Sequence, residues 1–216
     1  MTDEVIKKRW GRWKRQNLAF WRRKFPFKIK AFNHSFPLHD YFGPMIGDKK
    51  EVWIADLGAG VVSTTGSTWP GVKVHVYPSD IWANEYLRFY MKAGIERFIP
   101  VEKQDMMNLS YSDNLFDIVH CTNALDHCID PFKALKEMYR ICDKGGWIYL
   151  RHRENEGKKH RYTMQHQWNI EKRGSNCRFW NYQEEFWLSD CVRGFKTVEK
   201  RELPNEPITI VSTLQK

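Results

Sequence analysis

The chain has 216 residues, 42% hydrophobic and 28% charged, with 13 Gly and 9 Pro. That composition excludes disordered, collagenous and coiled-coil chains and allows one full-sized domain. No apolar run reaches the roughly 18 residues of a membrane-spanning helix, and the charged N-terminus does not match a secretory signal, so a cytoplasmic location is expected. The cysteines Cys121, Cys128, Cys142, Cys177 and Cys191 form no C-x-x-C pair. Neither a disulfide framework nor a cysteine-rich zinc site is expected, and no metal is assigned.

The net charge of +9 is confined to one segment. Residues 1–30 carry eleven Lys and Arg against Asp3 and Glu4, and the remainder holds 24 residues of each sign. A neutral domain argues against nucleic acid as partner. Within the arm, Ile6, Trp10, Trp13, Phe20, Trp21 and Phe25 fall in an arc of about 140° at helical spacing, and Lys8, Arg9, Arg12, Arg15, Arg22 and Arg23 lie opposite. Residues 5–25 therefore read as an amphipathic helix that packs on the domain or a second subunit, lies on the inner membrane surface or grips a polyanion. A monomer or homodimer is compatible with either.

Residues 31–50 read as a loop or broken helix near the active site, and residues 51–216 as a single domain. Its first strand is Glu51 to Leu57, ending at Gly58-Ala59-Gly60, and Val72 to Tyr77 is the second. Between them, Val61 to Trp69 has room for a short helix. Trp82 to Ala93 reads as a helix ended by Gly94, Ile95 to Val101 as a third strand and Leu115 to Cys121 as a fourth. Pro131 to Cys142 reads as a helix, and Trp147 to Leu150 as a fifth strand. Strands alternating with helices imply an α/β fold with a mostly parallel sheet and helices on both faces. In the tail, Tyr162 to Ile170 and Cys177 to Trp180 flank Gly174 as a hairpin and Tyr182 to Val192 reads as an aromatic helix. Phe195 to Leu203 and Pro207 to Leu214 are joined too tightly for a parallel crossover, so they pair antiparallel.

Gly58 and Gly60 stand at the carboxyl end of a buried strand, where open α/β sheets bind ligands. Asp80 closes the second strand at the spacing of a carboxylate that accepts hydrogen bonds from ribose hydroxyls. A dinucleotide fingerprint requires Gly or Ala where this chain has Ser63, and no P-loop Lys follows. An NAD-dependent oxidoreductase and a noncatalytic partner-binding domain remain the alternatives.

Asp56-Leu57-Gly58-Ala59-Gly60, Asp80, Gln104-Asp105, Phe116 to Val119 followed by Asn123 to His127, and Lys144-Gly145-Gly146-Trp147 together resemble the class I S-adenosylmethionine-dependent methyltransferases. The resemblance implies a Rossmann-like seven-stranded sheet with a C-terminal antiparallel pair, and S-adenosyl-L-methionine as cofactor. It implies that Gly58, Ala59 and Gly60 admit the methionine moiety and that Asp56 orients its ammonium. Asp80 holds the ribose, Asp105 the adenine amino group, and Ile81 or Met106 the ring face, with Asn123 and Ala124 beside the transferable methyl.

On the acceptor side, transfer to oxygen calls for a base, and His127 and His152 follow strands four and five. Segment 151–181 is polar. Arg151 and Arg153 suit an acidic substrate group, and His166, Trp168 and Asn169 suit a polyhydroxy compound, so the expected substrate is a polar small molecule or saccharide.

Overall fold

The computed structural model describes residues 3–163 and 165–216, with side chains for all of these except 3–10, 195 and 196. The chain begins with helix α1 (Asp3–Phe32), which runs on through Pro26. A 3₁₀ turn at Asp40–Phe42 and a short helix α2 (Gly43–Ile46) follow, so residues 31–50 are a broken helical segment. The domain then unfolds in chain order as β1 (Glu51–Leu57), β2 (Lys73–Asp80), α3 (Ala83–Ala93), β3 (Glu102–Lys103), β4 (Phe116–Thr122), α4 (Pro131–Ile141) and β5 (Cys142–Arg153). The tail adds α5 (Glu156–Lys159), β6 (Asn169–Arg173), β7 (Asn176–Trp180), β8 (Glu185–Trp187), α6 (Leu188–Cys191), β9 (Phe195–Arg201) and β10 (Thr209–Gln215).

Seven strands form one sheet in the order β3-β2-β1-β4-β5-β10-β9, and β6-β7-β8 form a second. β1, β2, β3, β4 and β5 are parallel to their neighbours among themselves, whereas β10 is antiparallel to both β5 and β9. The expected α/β class, seven strands and C-terminal antiparallel pair are all present. Parallel strands must be covered on both faces. Ile54, Ala55, Ile118 and Val119 are accordingly at 0% exposure in the middle of the sheet. Helix α4 starts at Pro131, where a missing N–H costs nothing, with the Asp130 carboxylate accepting from the Lys133 amide at 2.9 Å. Helix α3 stops at Gly94, which adopts the left-handed conformation with φ 64°.

Several local expectations are corrected. Ile95 to Val101 is not a strand: Ile95 and Phe98 are exposed, and Asn33 at the end of the arm hydrogen-bonds both Glu96 and Phe98. The third strand is the two-residue β3, paired with Ser79 and Asp80. Tyr182 to Val192 is not one helix. Phe186 stacks on Phe179 at 4.9 Å in cross-strand register, drawing Glu185–Trp187 into the small sheet. Residues 61–69 hold no helix, because Ser63 and Thr65 bond to each other and to Asp56 and Gly66. In the hairpin, only Asn169–Arg173 of the first arm is strand.

Helix α1 packs its apolar side on α3. Phe25 meets Tyr90 edge-on at 5.0 Å, Trp21 meets Tyr86 at 6.2 Å, and Lys14 pairs with Glu85. Arg12, Arg15, Arg22 and Arg23 are exposed, while Phe20, expected on the packed arc, is 41% exposed. The side chains of Ile6 and Trp10 lie outside the described residues. Among the described residues no helix is long and apolar enough to cross a membrane.

Candidate active site

The carboxyl ends of β1, β2 and β4 open into a cleft. One wall is Ser79, Asp80, Ile81 and Trp82, the floor is Gly58 and Ala124, and Gln104, Asp105, Met106 and Met107 close the far side. Helix α1 roofs it with Trp13 and Asn17. The Tyr86 hydroxyl donates to Asn17 Oδ1 at 2.6 Å, and Asn17 Nδ2 donates to Gln165 Oε1 at 3.2 Å, tying the roof to both sides of the opening.

Gly58 has to be glycine on two grounds. Its φ is +72°, and a Cβ there would lie 2.4 Å from Ala124 Cβ and 3.2 Å from Met106 Cε. At Gly60 a Cβ would meet the Trp21 ring at 2.4 Å. Asp80 accepts from the Gly60 amide at 3.0 Å and from the Trp82 amide at 2.8 Å. Burial pushes its pKa up to about 6, although both amides pull the other way. A bare glycine floor, apolar faces from Ile81 and Met106, and a carboxylate at each end fit a nucleoside with an attached amino-acid chain.

His127 enters the cleft from the 3₁₀ turn Leu125–His127 after β4. Behind it, Asp126 is 4% exposed, and its Oδ2 lies 2.6 Å from His166 Nδ1 and 3.4 Å from His127 Nε2. The two imidazole nitrogens are 3.3 Å apart. Burial would raise the Asp126 pKa, but His127 and His166 outweigh it and bring the carboxyl down to about 2. His127 itself is lowered, by burial first, against the attraction of Asp126. A second, wider opening adjoins the first, lined by Arg161, Tyr162, Gln167, Trp168, Asn181, Tyr182, Gln183 and Glu184. Trp13 and Cys128 belong to both walls.

Residues 55–150, which contain β1 to β5 and the cleft floor, match the family model described as a methyltransferase domain. Over that stretch, a little under half of the chain, the sequence is similar to the class I S-adenosylmethionine-dependent methyltransferases. The Neurospora crassa sterol 24-C-methyltransferase is 24% identical over 61% of this chain and 38% of its own. The Streptomyces griseus demethylmenaquinone methyltransferase is 32% identical over 45% of this chain and 40% of its own. The chain thus spans about two fifths of the length of these curated relatives. A Methanosarcina mazei S-adenosylmethionine-dependent methyltransferase structure superposes with a TM-score of 0.52 at 17% identity, covering 84% of this chain and 99% of that one.

Of the residues expected to hold the cofactor or act as base, Gly58, Asp80, Ile81, Asp105, Met106, Ala124 and His127 all line the first cleft. Asp56 sits beneath it, its oxygens engaged by Ser63 Oγ at 2.7 Å and His120 Nδ1 at 2.8 Å. Ala59 donates to the Ser79 carbonyl, and Asn123 accepts from the Arg153 amide with φ 50°, so both shape the rim. His152 is 2% exposed on β5, with neither ring nitrogen hydrogen-bonded among the described residues, and burial lowers its pKa to about 4. Of the expected acceptor residues, Trp168 walls the wide cleft and His166 joins Asp126 and His127. Asn169 is wholly buried and clamps Lys158, Tyr162 and Trp180. Arg151 pairs with Val211 within the sheet, and Arg153 lies 3.7 Å from Glu156. Sequence reasoning missed Asn17 and Tyr182 as wall residues, because their roles depend on contacts far along the chain. Tyr162 and Gln165 lie in the polar segment 151–181 expected on the substrate side, Gln104 belongs to the quoted Gln104-Asp105 motif, and Trp82 follows Ile81 and was within reach.

Proposed function

We propose that this methyltransferase moves the methyl group of S-adenosylmethionine to an oxygen of a polar, hydroxyl-rich small molecule or saccharide held in the wide cleft. The shared wall carries this reading: Trp13 and Cys128 line both openings, so an acceptor beside Tyr162 and Tyr182 can reach the donor without crossing bulk solvent. The sulfonium is already electrophilic, which leaves the protein to align the acceptor oxygen with the S–CH₃ bond and to exclude water. As the new O–CH₃ bond forms and the S–CH₃ bond breaks, the acceptor proton passes to the Asp126–His127–His166 group. His127, the foremost base expected from the sequence, would act as a member of that group, because its Nε2 faces Asp126 and His166. Asp80 would hold the ribose, and Ile81 and Met106 the adenine.

The wide cleft presents Arg161, Gln167, Asn181, Gln183 and Glu184 around Tyr162 and Tyr182, whose rings are 3.7 Å apart. Such a wall favours hydroxyls over the sterol and quinone skeletons in the relatives' names. The test is transfer of labelled methyl from S-adenosylmethionine to a panel of saccharides, with a sterol and a quinol alongside. Label is expected in the hydroxylated compounds, and His127→Ala should lower turnover by about 10²–10⁴-fold while keeping affinity for S-adenosylhomocysteine. Transfer to the sterol or quinol alone would overturn the acceptor class.

A further inference from the structure

We propose that Asp126, His127 and His166 form a binding site for one divalent transition-metal ion, with Zn²⁺ best suited to the donors. The site rests on the placement of three side chains. Asp126 Oδ2, His127 Nε2 and His166 Nδ1 converge, with separations of 2.6, 3.3 and 3.4 Å. In a tetrahedral zinc site with bonds of 2.0–2.1 Å, ligand atoms lie about 3.3 Å apart, whereas octahedral neighbours at similar bond lengths lie about 2.9 Å apart. Two of the three edges already have the tetrahedral value. The third is a hydrogen bond that has to open by about 0.7 Å, which a small turn of the His166 ring achieves.

The donors are also the right kind. Two imidazoles and a carboxylate suit Zn²⁺, and three protein ligands leave the fourth position for an outside oxygen. Asp126 is buried while His127 and His166 are partly open, so an ion can enter from the cleft side. A second group, Glu156, His160 and His166, brings its ligand atoms within 4.8 Å of one another and shares His166. The His160 and His166 rings stack at 4.2 Å, and Glu156 is 6% exposed, which places a buried anion and another imidazole beside the first set. Along the chain these residues give no metal signature, because Asp126-His127 and His166 are separated by 38 residues of strand, helix and loop. The ion's role rests on the acceptor-side reading and changes one part of it: with Asp126 Oδ2, His127 Nε2 and His166 Nδ1 on the ion, these atoms no longer take the acceptor proton, and the open fourth position would take the acceptor oxygen instead. Ion binding itself stands on the side chains alone.

The experiment uses untagged full-length protein freed of metal by chelation. Zn²⁺ is titrated by calorimetry and Co²⁺ by its visible absorption, and S-adenosylhomocysteine affinity and circular dichroism are measured on the same samples. One equivalent of each ion is expected, with the intense visible bands of tetrahedral Co²⁺. His166→Ala and His127→Ala should each weaken binding by roughly 100-fold or more while retaining the fold. Asp126→Asn serves as a third variant if it folds. Absence of saturable binding in the wild type would overturn the site. So would full binding in folded His166→Ala, or loss of binding on His160→Ala with full binding in His127→Ala. A protein that binds no ion yet transfers methyl under chelation refutes the metal and spares the function; one that binds the ion but methylates no hydroxyl does the reverse.

Discussion

The ribose role proposed for Asp80 turns on its charge. Only as a carboxylate can it accept from a ribose hydroxyl in addition to its two backbone donors. Asp80→Asn should cost about 10–150-fold in affinity for S-adenosylhomocysteine, the worth of a charge-assisted acceptor. Because burial holds the free group at about 6, wild-type affinity should be level above pH 7 and weaken as pH falls through 6, and the Asn variant should lose that slope. Stability of the free protein should respond in the opposite sense at this site. A raised folded-state pKa contributes stability that is present below the unfolded value near 3.8 and is lost as pH rises through 6. Calorimetry at pH 5 and 7.5 separates the two, and unchanged affinity in a folded variant would refute the ribose role. Gly58→Ala and Gly145→Ala make a second pair. Both glycines have positive φ, +72° and +77°, but an added Cβ clashes only at Gly58. Chemical denaturation should show a loss of about 1 kcal/mol at Gly145, from backbone conformation alone, and clearly more at Gly58, with cofactor binding abolished there. Asp80, Asp105 and Gly58 were legible because strand ends in a parallel sheet converge on one edge. Asn17 was not, since its neighbours in the chain mark only a helix face, and nothing local foretold that it would meet Gln165 across the opening.

At the scale of elements, α1 is the part whose partner the sequence left open. Its amphipathic spacing announces a face that must be covered, and α3, some sixty residues on, covers it through Phe25, Trp21 and Lys14. Removing residues 1–24 deletes Trp13 and Asn17 from the cleft and strips Trp21 and Asn17 from Tyr86. We expect the truncated protein to bind S-adenosylhomocysteine at least about tenfold more weakly and to melt lower, because buried aromatics and a cleft wall are lost together. Unchanged affinity, with loss of binding to anionic vesicles instead, would assign the arm to a membrane surface. The aromatic stretch 182–192 shows the limit of local pattern from the other side. The sequence reads as helix there, and cross-strand stacking of Phe186 on Phe179 accompanies the strand that forms instead.

For the molecule as a whole, the donor cleft joins α1, the sheet edge and the tail through Asn17, Tyr86 and Gln165, so ligand binding and global stability are linked. Saturation at about 100 times the dissociation constant adds about 2.7 kcal/mol. For a domain of this size that raises the melting temperature by about 5–11 °C. Scanning calorimetry with S-adenosylhomocysteine should show the rise, and NAD should produce none. The sequence by itself determined the fold class and that Gly58, Asp80 and Asp105 would meet at one edge of the sheet. Strand-forming runs, glycine punctuation and carboxylates at strand ends are local signals, and a parallel sheet brings its carboxyl ends to one edge without further instruction. Only the tertiary structure decided the roof and the acceptor side. There Trp13, Asp126, Tyr162, His166 and Tyr182 meet from four separate segments, and contacts between segments distant in sequence are set by packing of the whole chain, which no local pattern encodes.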